Sequence, residues 1–229
     1  MSFRGAVGGY WVGKDRVKER LAASDSWWLS GGISAANAIA VYQPKGADDL
    51  ADSYVNLANP GTYNAAPGVA PTWASGTGWT FNGSTQYLDS GVTVTSTYSV
   101  IGRLAGWSGW GNSPFGCVNP LNGHIFRINA QQAGGSILWY NLSSTLQVTG
   151  TVTDSVLALG GTIPYRDGVA LAATSGLVGT PNSLYVGAHH NTFGNPDTFM
   201  TGQIAALAIY DTTLTAPQVA AVSAAMAAL

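Results

Sequence analysis

Between Asn182 and Val219 the chain spells out five elements in succession, and no other stretch constrains the fold as tightly. A short apolar run, Leu184-Tyr185-Val186, stops at Gly187. A polar loop follows, carrying His189, His190, Asn191, Gly194, Pro196 and Asp197. A longer apolar run from Gln203 to Tyr210 then leads through a turn to Thr215. Residue types alone predict strand, loop, strand, turn and helix. Thr215 and Gln218 have the T-x-x-Q spacing of a capping box, with Pro217 in the first turn. Val219, Val222 and Met226 form an apolar stripe among alanines, so a short C-terminal helix is expected to lie against one rim of a β-domain.

The residues upstream read as strand after strand. Ile39 to Tyr42 is the first, halted by Gln43-Pro44-Lys45-Gly46. Residues 47–80 are rich in Asn, Asp, Gly and Pro, yet Tyr54, Tyr63, Trp73 and Trp79 recur, which marks an ordered loop-heavy segment. Thr97 to Leu104, His124 to Ala130 and Ile137 to Leu142 follow. Thr145 to Thr153 alternates without a break, placing Leu146, Val148, Gly150 and Val152 inward, as one half-buried antiparallel strand would. Val156 to Gly160 is a further strand, and Ile163 to Leu171 turns tightly at Asp167-Gly168. Many short strands with no intervening helices argue for two facing sheets.

Several of these residues also carry a family pattern. Leu184, Val186, Gly187, Phe199, Gly202, Ile204, Ile209, Tyr210, Leu214 and Thr215 occur in the order that closes laminin-G-like domains of the concanavalin A-like lectin/glucanase superfamily. Trp79, Phe81, Gly83, Tyr87 and Leu88 match the "W-x-F-x-G-x-x-x-Y-[IL]" run of the same domains, and Asp167-Gly168 resembles their hairpin. The resemblance implies an all-β, two-sheet antiparallel jelly-roll sandwich (concanavalin A-like) with a short C-terminal helix and an N-terminal arm containing a short helix. Laminin-G domains often bind a calcium ion at a rim. The resemblance therefore leaves a structural calcium open, although Asp89 and Asp197 match no specific ligand motif.

Residues 1–32 are different in kind and read as an arm, with 33–229 as the sandwich. Five basic residues stand against two acidic ones within residues 1–20, while the whole chain has a net charge of −2. Five interrupted cations make a small patch, so the arm reads as a solvated or docking helix and not as a nucleic-acid grip. Lys14 to Ala23 suits about two and a half helical turns, with Val17 and Leu21 as an i, i+4 apolar pair. Such a short helix needs a partner surface. Arg16, Val17, Arg20, Leu21, Trp27 and Trp28 are the candidate docking residues. Trp27-Trp28-Leu29 either packs back on the body, as so large an apolar area favours, or is part of that docking site. Gly31-Gly32 reads as a hinge, so removing residues 1–32 is expected to leave the sandwich folded.

Chemistry is scarce. Only 9% of residues are charged and a single glutamate, Glu19, lies in the arm, so the paired carboxylates of a glucanase are absent. A polysaccharide lyase site from His124, Arg127 and Tyr140 fails because His124 and Arg127 fall on opposite strand faces. Adjacent His189 and His190 likewise point apart and do not chelate one metal. Cys117 is the lone cysteine, which leaves no internal disulfide framework. No apolar run approaches the ~20 residues of a membrane span, and the N-terminus lacks a secretory h-region. The candidate ligand contacts are Trp107 and Trp110, in a glycine-rich loop, and His189, His190 and Asn191.

The "YQPKGA…SYVNLANPGTY" segment further resembles laminin-G-like structural proteins of tailed bacteriophages. That resemblance implies a non-enzymatic protein made in a bacterial cytoplasm and placed at a virion surface, as capsid decoration or tail component. It would self-associate or meet other virion proteins through the arm. The alternative is an extracellular carbohydrate-binding module or lectin recognising host-surface glycans.

Overall fold

A computed structural model describes residues 26–95, 97–108, 111–118, 125–131, 136–142, 144–150, 152–174 and 182–229. Two sheets face one another. The eight-stranded sheet contains β1 (Ala38–Tyr42), β3 (Thr72–Ala74), β4 (Gly78–Asn82), β6 (Ser99–Ser108), β11 (Val152–Gly160), β12 (Ile163–Arg166), β13 (Val169–Ala170) and β17 (Thr201–Tyr210). The nine-stranded sheet contains β2 (Ala66–Val69), β5 (Tyr87–Asp89), β7 (Phe115–Val118), β8 (Ile125–Gln131), β9 (Ser136–Leu142), β10 (Ser144–Thr149), β14 (Tyr185–Val186), β15 (His189–His190) and β16 (Pro196–Asp197). This is the all-β sandwich that the strand pattern predicts.

The axis of the eight-stranded sheet is β17. Along one edge it pairs with β6 over its whole length. Along the other it pairs first with β4, from Thr201 to Ile204, and then with β1, from Leu207 to Tyr210. Ile204, Leu207 and Ile209 enter the core between the sheets beside Trp79, Phe81, Leu104 and Trp139. Ala206, Ala208 and Tyr210 point the opposite way into a second core. The apolar run is long and unalternating because both of its faces are buried.

That second core moves the helix expected on a rim and decides between the two readings of Trp27-Trp28-Leu29. Helix α2 (Ala216–Ala227), which follows the short α1 (Leu50–Ser53), lies across the outer face of the eight-stranded sheet and not on a rim. Its stripe of Val219, Val222 and Met226 is fully buried there. The cap forms as the sequence predicts: Gln218 Oε1 accepts from the Thr215 N–H at 2.9 Å and from its hydroxyl at 3.0 Å. Trp27 and Trp28 share this core and are only 3% and 4% exposed. They meet edge to face at 5.6 Å, an arrangement favoured by the ring quadrupoles. The Tyr210 hydroxyl donates to the Trp28 carbonyl at 2.8 Å, and the Trp27 indole N–H donates to Gln43 at 3.0 Å. The tryptophans therefore pack back on the body, and Gly31, at φ +78°, turns the chain close against Gln218 and Ala221 of α2. Arg16, Val17, Arg20 and Leu21 lie outside the described residues.

The unbroken alternation from Thr145 to Thr153 belongs to two strands. Gly150 sits at φ +146°, a conformation closed to other residues, and there the chain leaves β10 in one sheet for β11 in the other. Alternation survives the crossing because Leu146, Val148 and Val152 all face the same inter-sheet core.

The loop-heavy segment is ordered by one buried amide. Asn56 Oδ1 accepts from the N–H groups of Val41 and Ala58, and its Nδ2 donates to the carbonyls of Ile39 and Thr62. Every hydrogen-bonding position of the amide is used, which is what burial demands.

Trp28→Ala is expected to lower the unfolding free energy by about 3–5 kcal/mol in urea titration. A chain beginning at Ile33 should lose more still. A cost below about 1 kcal/mol for the point substitution would mean that the second core contributes little.

Candidate ligand-binding face

The site grows out of a chain reversal at Gly187. Gly187 has φ +80°, and a Cβ at this position would overlap the Phe81 ring, so only glycine fits. Its N–H donates to the Pro114 carbonyl at 2.7 Å, while its own carbonyl accepts from Met200 at 2.8 Å. Before this corner β14 runs antiparallel to β7; after it, β15 runs parallel to the same strand. The chain then turns through residues 191–195 and returns as β16, which puts Asp197 opposite His189.

Asn191 builds that turn. Its Oδ1 accepts from the N–H groups of Phe193 and Asn195, at 2.9 and 3.0 Å, and its own N–H donates to the Asn195 carbonyl. The result presents Phe193 at the tip, 86% exposed. At the base of the turn Thr198 holds φ +48°, an unfavourable setting for a β-branched residue. Its carbonyl accepts from Ser113 at 2.7 Å and its hydroxyl donates to Asp197 at 3.2 Å, which together hold the strain in place.

Strand parity identifies the surrounding face. Leu88, Phe126, Ile128 and Val186 all enter the inter-sheet core. Their neighbours Tyr87, Asp89, Arg127 and Tyr185 therefore project from the outer face of the nine-stranded sheet. The Arg127 stem crosses Gly116, whose Cβ would approach Arg127 Cγ to 3.0 Å. Tyr185 stacks on His190 with centroids 3.8 Å apart and planes at 10°. On its other side it meets Tyr87 at 4.8 Å, and Tyr87 in turn lies 6.5 Å from Phe199. Tyr87, His190 and Phe199 are partly exposed, and Tyr185 is buried beneath them.

The titratable groups have distinct states. Burial, then the charge of Asp89 and the neighbouring Tyr87, push Tyr185 up to about 12, so it keeps its hydroxyl proton. His190 Nδ1 lies 2.9 Å from the Ser183 carbonyl, which can only accept, so Nδ1 carries the proton. His189 Nδ1 lies 2.9 Å from Asp197 Oδ1. Burial is the main reason that the His189 imidazole is held below its ordinary value; Arg127 and His190 add to it, and Asp197 opposes it. His189 is thus neutral at neutral pH, with its proton on Nδ1. Its Nε2 is buried and has no hydrogen-bond partner among the described residues. Burial pushes Asp197 up, but the hydrogen bonds from His189, Asn191 and Thr198, with the His189 interaction, outweigh this and its carboxyl lies below the usual range.

Of the residues named from sequence, His189, His190 and Asn191 fall at this face. Trp107 instead lies in the inter-sheet core at 6% exposure and offers no ring to a ligand, because β6 turns it inward opposite Val152. Trp110 and His124 lie outside the described residues. Trp27 and Trp28 are interior, as above. Among the described residues no three His, Cys, Asp or Glu side chains gather where a metal ion would sit. Tyr87, Tyr185 and Asp89 were not singled out as contacts by sequence reasoning. The parity of Tyr87-Leu88-Asp89 is readable, but the adjacency of β5, β14, β7 and β8 is not.

No protein-family model matches the chain, and no curated protein matches it. Solved structures do. Domain 4 of AbnA, a GH43 extracellular arabinanase from Geobacillus stearothermophilus in complex with arabinotriose, aligns at TM-score 0.50 and 16% identity over 82% of this chain and 98% of that one. A mutant Trypanosoma rangeli sialidase displaying trans-sialidase activity aligns at TM-score 0.63 and 12% identity over 94% of this chain. The binding domain of Botulinum neurotoxin DC, in complex with rat synaptotagmin II, aligns at 0.53 and 10% identity over 84%. This chain spans 38% of the sialidase and 52% of the toxin fragment. At these identities the similarity shows a shared β-sandwich fold and no more.

Gly187→Ala is expected to cost several kcal/mol, on the order of 2–4, because a left-handed corner and the Phe81 ring both exclude a methyl group. Adding Phe81→Leu should recover part of the loss in thermal denaturation. No recovery would show that backbone conformation alone accounts for the glycine.

Proposed function

We propose that this protein is a non-catalytic, lectin-like module that binds carbohydrate on the outer face of the nine-stranded sheet. The observation that carries the reading is the partly exposed aromatic row Phe199, Tyr87 and His190, backed by the buried Tyr185 and flanked by Asp89, Arg127 and Asn191. Aromatic faces pack against the C–H faces of sugar rings, while carboxylate, guanidinium and amide groups pair with hydroxyls. The sandwich of an arabinanase domain solved with arabinotriose lends support, as does its use in the binding domain of a toxin. The single glutamate, placed in the N-terminal segment, supports a binding role over paired-carboxylate hydrolysis.

The finer placement is a laminin-G-like sandwich at a bacteriophage virion surface, and it draws its support from sequence resemblance alone. In that setting residues 1–25 would supply the docking segment, since Trp27 and Trp28 are committed to the second core.

Glycan-array screening of the purified chain tests the proposal. His190→Ala and Phe193→Ala are each expected to weaken the array signal by about tenfold or more. Stability should change by no more than about 0.5 kcal/mol for the exposed Phe193. Trp107→Ala should instead cost about 3–5 kcal/mol of stability, as a core residue does. An array with no saccharide bound would overturn the reading.

A further inference from the structure

We propose that the His189–Asp197 pair is an acid-sensitive latch that holds the β15–β16 hairpin closed beside the ligand face. The pair ties the two arms of the β15–β16 hairpin at their base, where the register sets His189 opposite Asp197. Only the tip of the hairpin is lightly anchored. Thr192, Phe193, Gly194 and Asn195 are all exposed. Its base is also held by a hydrogen bond from Asn182 Nδ2 to the Asn191 carbonyl at 2.8 Å, by the Thr198 carbonyl on Ser113, by His190 on the Ser183 carbonyl and the Tyr185 ring, and by the pairing of β15 with β7. The positive φ of Thr198 is strain that opening would relieve.

The asymmetry of His189 makes the latch respond to acid. In the neutral ring Nδ1–H faces Asp197 and Nε2 is a bare lone pair in a buried position, which costs less than a buried charge would. Protonation places a charged N–H at that same buried position, with no acceptor among the described residues. Three groups act on the ring: Asp197 from β16, Arg127 from β8 and His190 from its own strand. Asp197 favours the imidazolium, but it is 43% exposed and shared with Thr198, so its attraction is screened. Burial, Arg127 and His190 oppose it. The protonated ring reaches water most directly by parting β15 from β16. Because the folded state holds the proton less tightly than the open one, closure is fully stabilised above the ordinary histidine value of about 6.5 and weakens as pH falls through the folded-state value. Acid would thereby loosen Asn191 and Phe193. That consequence for ligand release rests on the carbohydrate-binding reading; the latch itself does not.

Hydrogen exchange of the ligand-free full chain tests it, at about pH 7.5 and about pH 5 with rates corrected for intrinsic exchange. Segment 187–199 should lose about tenfold or more of its protection at the lower pH, while β17 keeps its own. His189→Asn retains a donor towards Asp197 and cannot titrate, so its protection should be independent of pH. Equal protection of the parent hairpin at both pH values would sink the latch, as would an undiminished acid response in His189→Asn. Should His189→Asn open the hairpin at every pH, ring ¹⁵N spectra of the parent decide. Protonation of His189 coinciding with loss of protection supports the latch, and protonation with the hairpin still closed removes it. Saccharide binding without any acid response would leave the proposed function standing and dispose of this inference alone.

Discussion

A ten-residue strand that is apolar on both faces cannot rest against solvent on either side, and β17 imposes that requirement on the whole molecule. Its inner face demands a second sheet, which the Phe115, Phe126, Ile128 and Trp139 layer supplies. Its outer face carries Ala206 and Ala208, small enough for a helix to approach closely, and Tyr210, whose hydroxyl needs a partner once buried. Helix α2 and the Trp27-Trp28 turn answer both needs, and the hydrogen bond from Tyr210 to the Trp28 carbonyl joins segments 182 residues apart. With both faces covered and both edges paired, β17 holds β6, β4 and β1 in register.

That arrangement leaves the outer face of the other sheet open for the proposed binding. Helix α2 and the tryptophan turn occupy the outside of the eight-stranded sheet, whereas Tyr87, Asp89, Arg127 and His190 on the opposite side are only partly covered. The corner at Gly187 brings this about. By reversing the chain against Phe81, it aligns β14 and then β15 with β7 and lays His190 on Tyr185. A corner rigid enough to exclude a methyl group also fixes where the 191–195 turn projects. The aromatic row and its polar surround are therefore preformed, which limits the ordering cost of binding.

The electrostatics of this face combine a few charged side chains with polar groups held in defined orientations. Tyr185 keeps its proton, His190 donates through Nδ1 and His189 is neutral beside an ionised Asp197. Few formal charges and many oriented dipoles suit recognition of hydroxyl-rich ligands, where directional hydrogen bonds discriminate better than net charge.

Element types were largely legible in the chain itself. Local propensity and side-chain period determined the strands at Ile39–Tyr42 and Gln203–Tyr210, the Asp167-Gly168 turn, and the capped helix with its Val219, Val222 and Met226 stripe. These signals act over a few residues, so sequence carries them whole. Of the site, His189, His190 and Asn191 were legible as a polar turn, but Tyr87, Tyr185 and Arg127 were not, because they converge only when β5, β14, β7 and β8 become neighbours. Long-range packing likewise decided that Trp107 lies in the core, that Trp27 and Trp28 cover the body, and that α2 rests on a sheet face. It also divided the alternating run at Gly150, since period records which side of a strand is apolar and not which sheet the strand joins. Parity along a strand is local; adjacency between strands depends on how buried surface is shared across the whole chain, and that only the tertiary structure resolves.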